Sequence, residues 1–124
     1  MFFWPLRTIS KKFGVEPGFV TMNMPKLVDF LLDCGIENPV VCSAINKAGY
    51  FMNTDIKSYE RTLSEKSFRS VAMSILVSGA VKADEAVTYV CSQKNIQSIV
   101  FGASSRQHIA ETKELIERYS SNGN

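Results

Sequence analysis

A repeated alternation of short apolar runs with amphipathic stretches is the feature that most constrains this chain. Four runs rich in β-branched and small residues lie at Phe19–Thr21, Val40–Ile45, Ser70–Val77 and Ile99–Phe101, and helical periodicity follows each. Strands that alternate with single helices predict right-handed crossovers and a parallel sheet. Four units are half of an eight-fold barrel of about 250 residues, and this chain has 124. A doubly wound sheet shares the same alternation.

The pattern also predicts where elements begin and end. Strands are expected at Gly18–Thr21, Val40–Ile45, Phe68–Val77 and Ile96–Phe101, side by side in the order 1-2-3-4. The predicted helices are Leu6–Phe13, one from an Asn23 cap to Cys34, one from an Asn53 or Thr54 cap to Leu63, Lys82–Ser92, and one from a Ser104–Gln107 capping box to Tyr119. Residues 1–17 form an N-terminal extension, 18–119 the four βα units, and 120–124 a disordered tail.

Composition limits the classes of partner and the compartment. The 14 Lys and Arg residues and 12 Asp and Glu residues are interspersed, with a net charge of +2, so nucleic acid and anionic membranes are not expected. Cys34, Cys42 and Cys91 are odd in number and show no C-x-x-C spacing, which favours a reduced, cytoplasmic protein. With His108 as the sole histidine, no metal site is expected. No apolar run reaches the length of a membrane span.

Chemistry is expected after the strands, because α/β folds bind ligands at the carboxyl ends of their strands. The residues there are Thr21–Asn23, Asn46–Lys47, Ser78–Gly79 and Gly102–Ser105. Glycine lets the backbone approach an anion, and a following helix N-terminus offers amide donors. The last two segments therefore predict a phosphate site, although turns and helix caps explain the same residues.

Four segments together resemble the second half of the aldo-keto reductases. Gly18-Phe-Val-Thr-Met-Asn23 is similar to their fifth strand, and Val41–Asn46 to their sixth. Ala72-Met-Ser-Ile-Leu-Val-Ser-Gly79 is similar to their seventh strand, and Ile99-Val-Phe-Gly-Ala-Ser-Ser-Arg-Gln-His-Ile-Ala-Glu111 to their eighth strand and following helix. The order and spacing agree over residues 18 to 117. The resemblance favours half of a (βα)8 TIM barrel.

The resemblance implies an NADP(H)-type cofactor that lies across the strand ends. Thr21 and Asn23 would face the nicotinamide carboxamide, Ser74 and Leu76 the pyrophosphate, and Gly102–Ser105 the adenosine phosphate. The phosphate prediction from the glycine turns adds Ser78 and Gly79, so the candidate binding residues are Thr21, Asn23, Ser74, Leu76, Ser78, Gly79, Gly102, Ala103, Ser104 and Ser105.

Some family features have no counterpart in this sequence. His108 stands where the family has an arginine for the 2′-phosphate, and Thr112 where it often has asparagine. The family's catalytic residues belong to its first half, so no catalytic residue is assigned. We expect a truncated reductase-like protein that retains the phosphate- and nucleotide-binding half and is inactive alone.

Two alternative functions stay open. A homodimer is expected for each of them and for the reductase-like protein. The chain could be a non-enzymatic half-barrel that dimerises and binds a phosphorylated metabolite, or part of another phosphate-binding TIM-barrel enzyme. Four strands leave two unpaired edges and an exposed interior, which predicts a homodimer. Val41, Ala44, Met73 and Val100 are expected in that interior, with Phe2, Phe3 and Trp4 covering apolar surface.

Overall fold

A computed structural model describes the backbone of residues 4–122 and the side chains of residues 7–120. The expectation for Phe2, Phe3 and the Trp4 side chain, and the last two residues of the predicted tail, lie outside these described parts. The strands are β1 (Gly18–Val20), β2 (Val40–Ala44), β3 (Arg69–Met73) and β4 (Ile96–Ile99). The helices are α1 (Trp4–Phe13), α2 (Met24–Asp33), α3 (Ile56–Glu65), α4 (Ala83–Cys91) and α5 (Arg106–Asn122).

The strands form one parallel sheet in the order β1-β2-β3-β4, as predicted. When each strand lies beside its predecessor, right-handed crossovers place every connecting helix on the same face of the sheet. Buried side chains of α2, α3 and α4 accordingly share one core with the sheet, formed with Leu31, Leu63 and Val87 against Val41 and Ala72. Within the described residues, no helix has the length and apolar character needed to cross a membrane.

The second face of the sheet, which we call the open face, carries the alternate side chains of the strands. One row in register across it contains Val20, Cys42, Val71 and Ser98. Val20 is 74% exposed, whereas Val41 on the covered face is fully buried. The helices therefore shield one face, and the other is exposed at Val20 and Ser98 on the edge strands and half-buried at Cys42 and Val71 in the centre.

The prediction that Val41 shares an interior with Ala44 and Met73 is wrong. Ala44 and Met73 are register partners, and Val41 lies three positions before Ala44, so alternation points it to the opposite face. Val41 packs beneath the helices with the buried core. Val100, which follows β4, is 55% exposed.

The third strand is shorter than predicted. It ends at Met73 instead of Val77, because Ser74 adopts a φ of 56° and turns the chain out of the sheet. Ile75 then returns to the core with 1% exposure. Ser78 and Gly79 consequently lie in a 3₁₀ turn (Val77–Gly79) beyond the strand end.

Helix caps account for the remaining boundaries. Asn23 caps α2 as predicted, accepting the Lys26 amide at 3.3 Å. The cap of α3 is Asp55, not Asn53 or Thr54: its Oδ1 accepts the Ser58 amide, and this bond lowers the pKa of the carboxyl. Ser105 takes the capping role expected of Ser104, since its Oγ accepts the His108 amide at 3.1 Å. The last helix continues to Asn122 instead of ending at Tyr119.

Candidate functional site

A groove of about 870 Å³ opens at the carboxyl ends of β3 and β4. The loop after β3 forms one wall, and the loop after β4 with the start of α5 forms another. Tyr50 and Phe51, from the loop after β2, complete the lining. The groove brings together seven of the ten predicted binding residues: Ser74, Leu76, Ser78, Gly79, Gly102, Ala103 and Ser104.

The loop after β3 is held in a strained conformation. Ser74, Val77 and Ser78 have φ values of 56°, 52° and 52°. Left-handed backbone is unfavourable for any residue with a Cβ, and most of all for a β-branched one such as Val77. The Gly79 amide donates to the Leu76 carbonyl at 2.9 Å, so it closes the turn and is not directed at a ligand.

The loop after β4 has the opposite character. Among the described residues, the backbone amides of Gly102, Ala103 and Ser104 have no protein partner. They precede the N-terminus of α5, where the helix dipole favours an anion. Ser104 Oγ lies 3.3 Å from His108 Nδ1, which places a polar pair at the mouth of the groove.

Glycine is not sterically required at position 102. Its φ lies outside the left-handed region, and a Cβ added there meets no atom within 4 Å. The open space above this backbone is therefore available to a ligand. A larger side chain at 102 should fill that space without disturbing the fold.

Three predicted binding residues are engaged elsewhere and do not line the groove. Thr21 Oγ1 accepts the Asn23 amide at 2.9 Å, and Asn23 caps α2. Ser105 caps α5. Their polar atoms stabilise the turns after β1 and β4.

Sequence reasoning missed the importance of the loop after β2. Asn46, fully buried, donates from Nδ2 to the carbonyls of Tyr50 at 2.9 Å and Ser74 at 3.2 Å. Its Oδ1 accepts the Tyr50 amide at 2.8 Å. A single amide thus joins two walls of the groove. An asparagine directly after a buried strand was the available signal. Lys47 beside it pairs with Glu85 at 3.2 Å, on the surface.

Tyr89 has a structural role that also raises the pKa of its phenol. Its hydroxyl donates to Glu60 Oε1 at 2.9 Å and joins α4 to α3. Burial, and then the neighbouring carboxylate, raise the pKa of Tyr89 far above its usual value. The phenol therefore stays protonated and outside the groove.

No metal site accompanies the groove in the part of the chain that the structure describes, because no three acidic, cysteine or histidine side chains converge there. The described cysteines are free thiols. Comparison of the chain with protein-family profiles, curated proteins and solved structures gives no match.

Proposed function

We propose that this chain is a half-barrel related to the second half of the aldo-keto reductases and that it binds NADP(H), or another phosphate-bearing ligand, in the groove. One observation carries the proposal. Residues 74–79 and 102–104, which are distant in sequence, line the same groove at the carboxyl ends of adjacent parallel strands. Ligands of barrels and of open α/β sheets bind at this edge.

The groove provides donors suited to a phosphate. The unpartnered amides of Gly102, Ala103 and Ser104 point to a backbone site at the positive end of α5. Lys82, at the cap of α4, adds a cation to the lining. Because Thr21 and Asn23 are already bonded within their turn, we expect the loops after β3 and β4 to supply most of the binding.

We expect binding without hydride transfer by this chain. The resemblance over residues 18 to 117 brings no catalytic residue with it. Hydride transfer to a carbonyl group also needs a proton donor for the oxygen that gains charge, and the resemblance assigns no such donor to a residue of this groove.

Isothermal titration of the protein with NADPH, NADH and inorganic phosphate tests the proposal. We expect saturable heat with NADPH, and a loss of affinity of about tenfold or more in Gly102→Val, equivalent to about 1.4 kcal/mol. Ser67→Val, an exposed site just before β3, is the matched control and should bind as the wild type does. No heat with NADPH or phosphate at millimolar concentration contradicts the proposal. Heat with phosphate alone favours the non-enzymatic alternative.

The same sheet supports a proposal of self-association. Within the described residues, β1 and β4 are edges with one neighbour each, and the open face between them exposes Val20. Two copies that pair β1 of one with β4 of the other reach the eight strands of a closed barrel, which leaves no edge unpaired.

Light scattering over a concentration series tests the dimer. We expect a dimer at micromolar concentration and a monomer for Val20→Lys, because the charge falls on both the edge and the open face. Ser64→Lys, on the exposed side of α3, should remain dimeric. A wild-type protein that stays monomeric throughout contradicts this proposal.

A further inference from the structure

Two adjacent aromatic side chains stand exposed at the groove. Tyr50 and Phe51 have ring centroids 4.0 Å apart, with planes inclined by 43°. They are 38% and 49% exposed, and both line the groove. Burial of large aromatic side chains usually stabilises a protein, so an exposed pair that lines a groove indicates a binding site.

The pair lies between two anchored residues. The side chain of Asn46 is hydrogen-bonded to both the backbone amide and the backbone carbonyl of Tyr50. On the other side, Met52 is 6% exposed, and its Sδ accepts a hydrogen bond from the backbone amide of Asn46 at 3.4 Å. The Asn53 amide donates to the Met22 carbonyl at 3.1 Å. The loop is thus fixed on both sides of the two rings, which nevertheless remain outside the core.

The backbone at Phe51 is strained in this position. Its φ is 57°, a left-handed conformation that a bulky residue rarely adopts. Such strain persists only where the surroundings impose it, and it concentrates at ligand sites. Here the strain keeps an apolar ring at the groove.

The groove is divided between apolar and polar chemistry. Its lining combines the aromatic pair with the amides of the loop after β4 and with three ionisable side chains, Lys82, His108 and Glu111. A ligand that uses both the rings and the amides has a flat ring and an anionic group. Nucleotides have this combination, and base rings stack on aromatic side chains.

We infer that Tyr50 and Phe51 form a stacking platform for a planar heteroaromatic ring of the nucleotide. The inference rests on the proposed function, because it specifies how that groove selects its ligand. Either ring of a dinucleotide, adenine or nicotinamide, offers the required π-face. Pyrophosphate, which has no ring, should be insensitive to the pair.

The test measures the binding of NADPH, adenosine, nicotinamide mononucleotide and pyrophosphate to the wild type and to Tyr50→Ala/Phe51→Ala. Because each base that stacks on an aromatic side chain gains affinity from the contact, the double variant should bind NADPH and one ring-bearing fragment about tenfold more weakly or worse. Pyrophosphate affinity should not change. Tyr50→Phe should retain binding, and Phe13→Ala, an exposed aromatic on α1, is the control outside the groove.

A second variant separates stacking from folding. Phe51→Gly relieves the left-handed strain but gives the unfolded chain more freedom, and because these effects oppose each other the melting temperature should stay close to that of the wild type while NADPH binding weakens. Unchanged NADPH affinity in this variant would contradict the inference.

The outcomes distinguish the two proposals. NADPH binding that is equal in wild type and double variant overturns the platform and leaves the proposed function standing. Binding of adenosine that the double variant abolishes, without binding of NADPH, nicotinamide mononucleotide or pyrophosphate, overturns the proposed function and leaves the aromatic pair as a platform for a ring that carries no phosphate. A wild type that binds none of the four ligands overturns both.

Discussion

The loops after β2 and β4 border the same groove but are built in opposite ways. The first is fixed by the buried side chains of Asn46 and Met52, and it includes a strained residue, Phe51. The second has exposed glycine and serine residues whose amides, within the described chain, lack partners. One wall is therefore organised before a ligand arrives, while the other keeps its donors for the ligand. Preorganisation reduces the entropy lost on binding.

The loop after β2, which we call the fixed wall, is also bonded to residues outside its own segment. The Met22 carbonyl, after β1, accepts the Tyr59 hydroxyl at 3.1 Å and the Asn53 amide at 3.1 Å. Tyr59 also accepts the Met24 amide at 3.2 Å. Through Asn46, the network reaches Ser74 after β3. The ends of three strands are thus joined by hydrogen bonds, and the loop after β4 stands apart from them.

Asn46→Leu should break the fixed wall with the largest effect. It removes three hydrogen bonds and leaves the Tyr50 and Ser74 backbone groups without their partner, at a cost of about 2–3 kcal/mol of unfolding free energy. Urea denaturation measures this loss. Asn46→Asp keeps the acceptor for the Tyr50 amide but places a buried carboxylate against the Tyr50 and Ser74 carbonyls, so it should destabilise the protein at least as much as Asn46→Leu does. Equal stability for Asn46→Leu and wild type would show that the amide does not hold the loops.

Tyr59→Phe should loosen the same wall at the loop after β1, with a smaller effect. The ring keeps its packing, but the Met24 amide loses its acceptor and the Met22 carbonyl loses one donor, which costs about 1–2 kcal/mol. Burial raises the pKa of Tyr59, so its phenol stays protonated at neutral pH and the loss should not vary between pH 6 and 8. A marked pH dependence of the difference in that interval would contradict this account.

Gly102→Ala, in the loop after β4, should leave the stability of the protein almost unchanged. The new Cβ meets no atom, and alanine restricts the unfolded chain, so unfolding free energy should rise by about 0.5 kcal/mol at most. Lys47→Ala, in the loop after β2, breaks the surface pair with Glu85 and serves as a comparison. It should change the free energy of unfolding by no more than about 0.5 kcal/mol. Thermal denaturation checks both. A loss above 1 kcal/mol for Gly102→Ala would mean that this loop is held as tightly as the other.

Periodicity was enough to predict the sheet and its helices, because apolar spacing and glycine stops act locally. Helix α2, for example, ends next to Cys34 as predicted, and Gly35 follows with a φ of 80°, the left-handed conformation that glycine adopts after a helix. The strand order was predicted from the half-barrel interpretation, because single-helix crossovers fit a doubly wound sheet as well. The end of β3 could not be predicted, since the apolar run continues past Ser74, where the chain turns out of the sheet and buries Ile75 in the core.

The site was predictable where backbone flexibility marked it and not where side chains supported it. The Ser78–Gly79 and Gly102–Ser104 turns meet in one groove, as expected for adjacent strands. Asn46 was missed as a support because its importance lies in a bond to Ser74, 28 residues away. Asp55 replaced Thr54 as a cap for a similar reason: three polar residues stand in a row, and only the surrounding fold selects one.

The open face also provides a kinetic probe of its own exposure. Cys42 lies in the middle of this face, and partial burial raises the pKa of its thiol, so the reactive thiolate is scarce. Cys34, exposed at the end of α2, should react first with an alkylating reagent. If a second copy covers the face, the labelling rate of Cys42 will fall with protein concentration while that of Cys34 stays constant. The ratio of the two labelling rates within one molecule then reports assembly, with Cys34 as the internal standard.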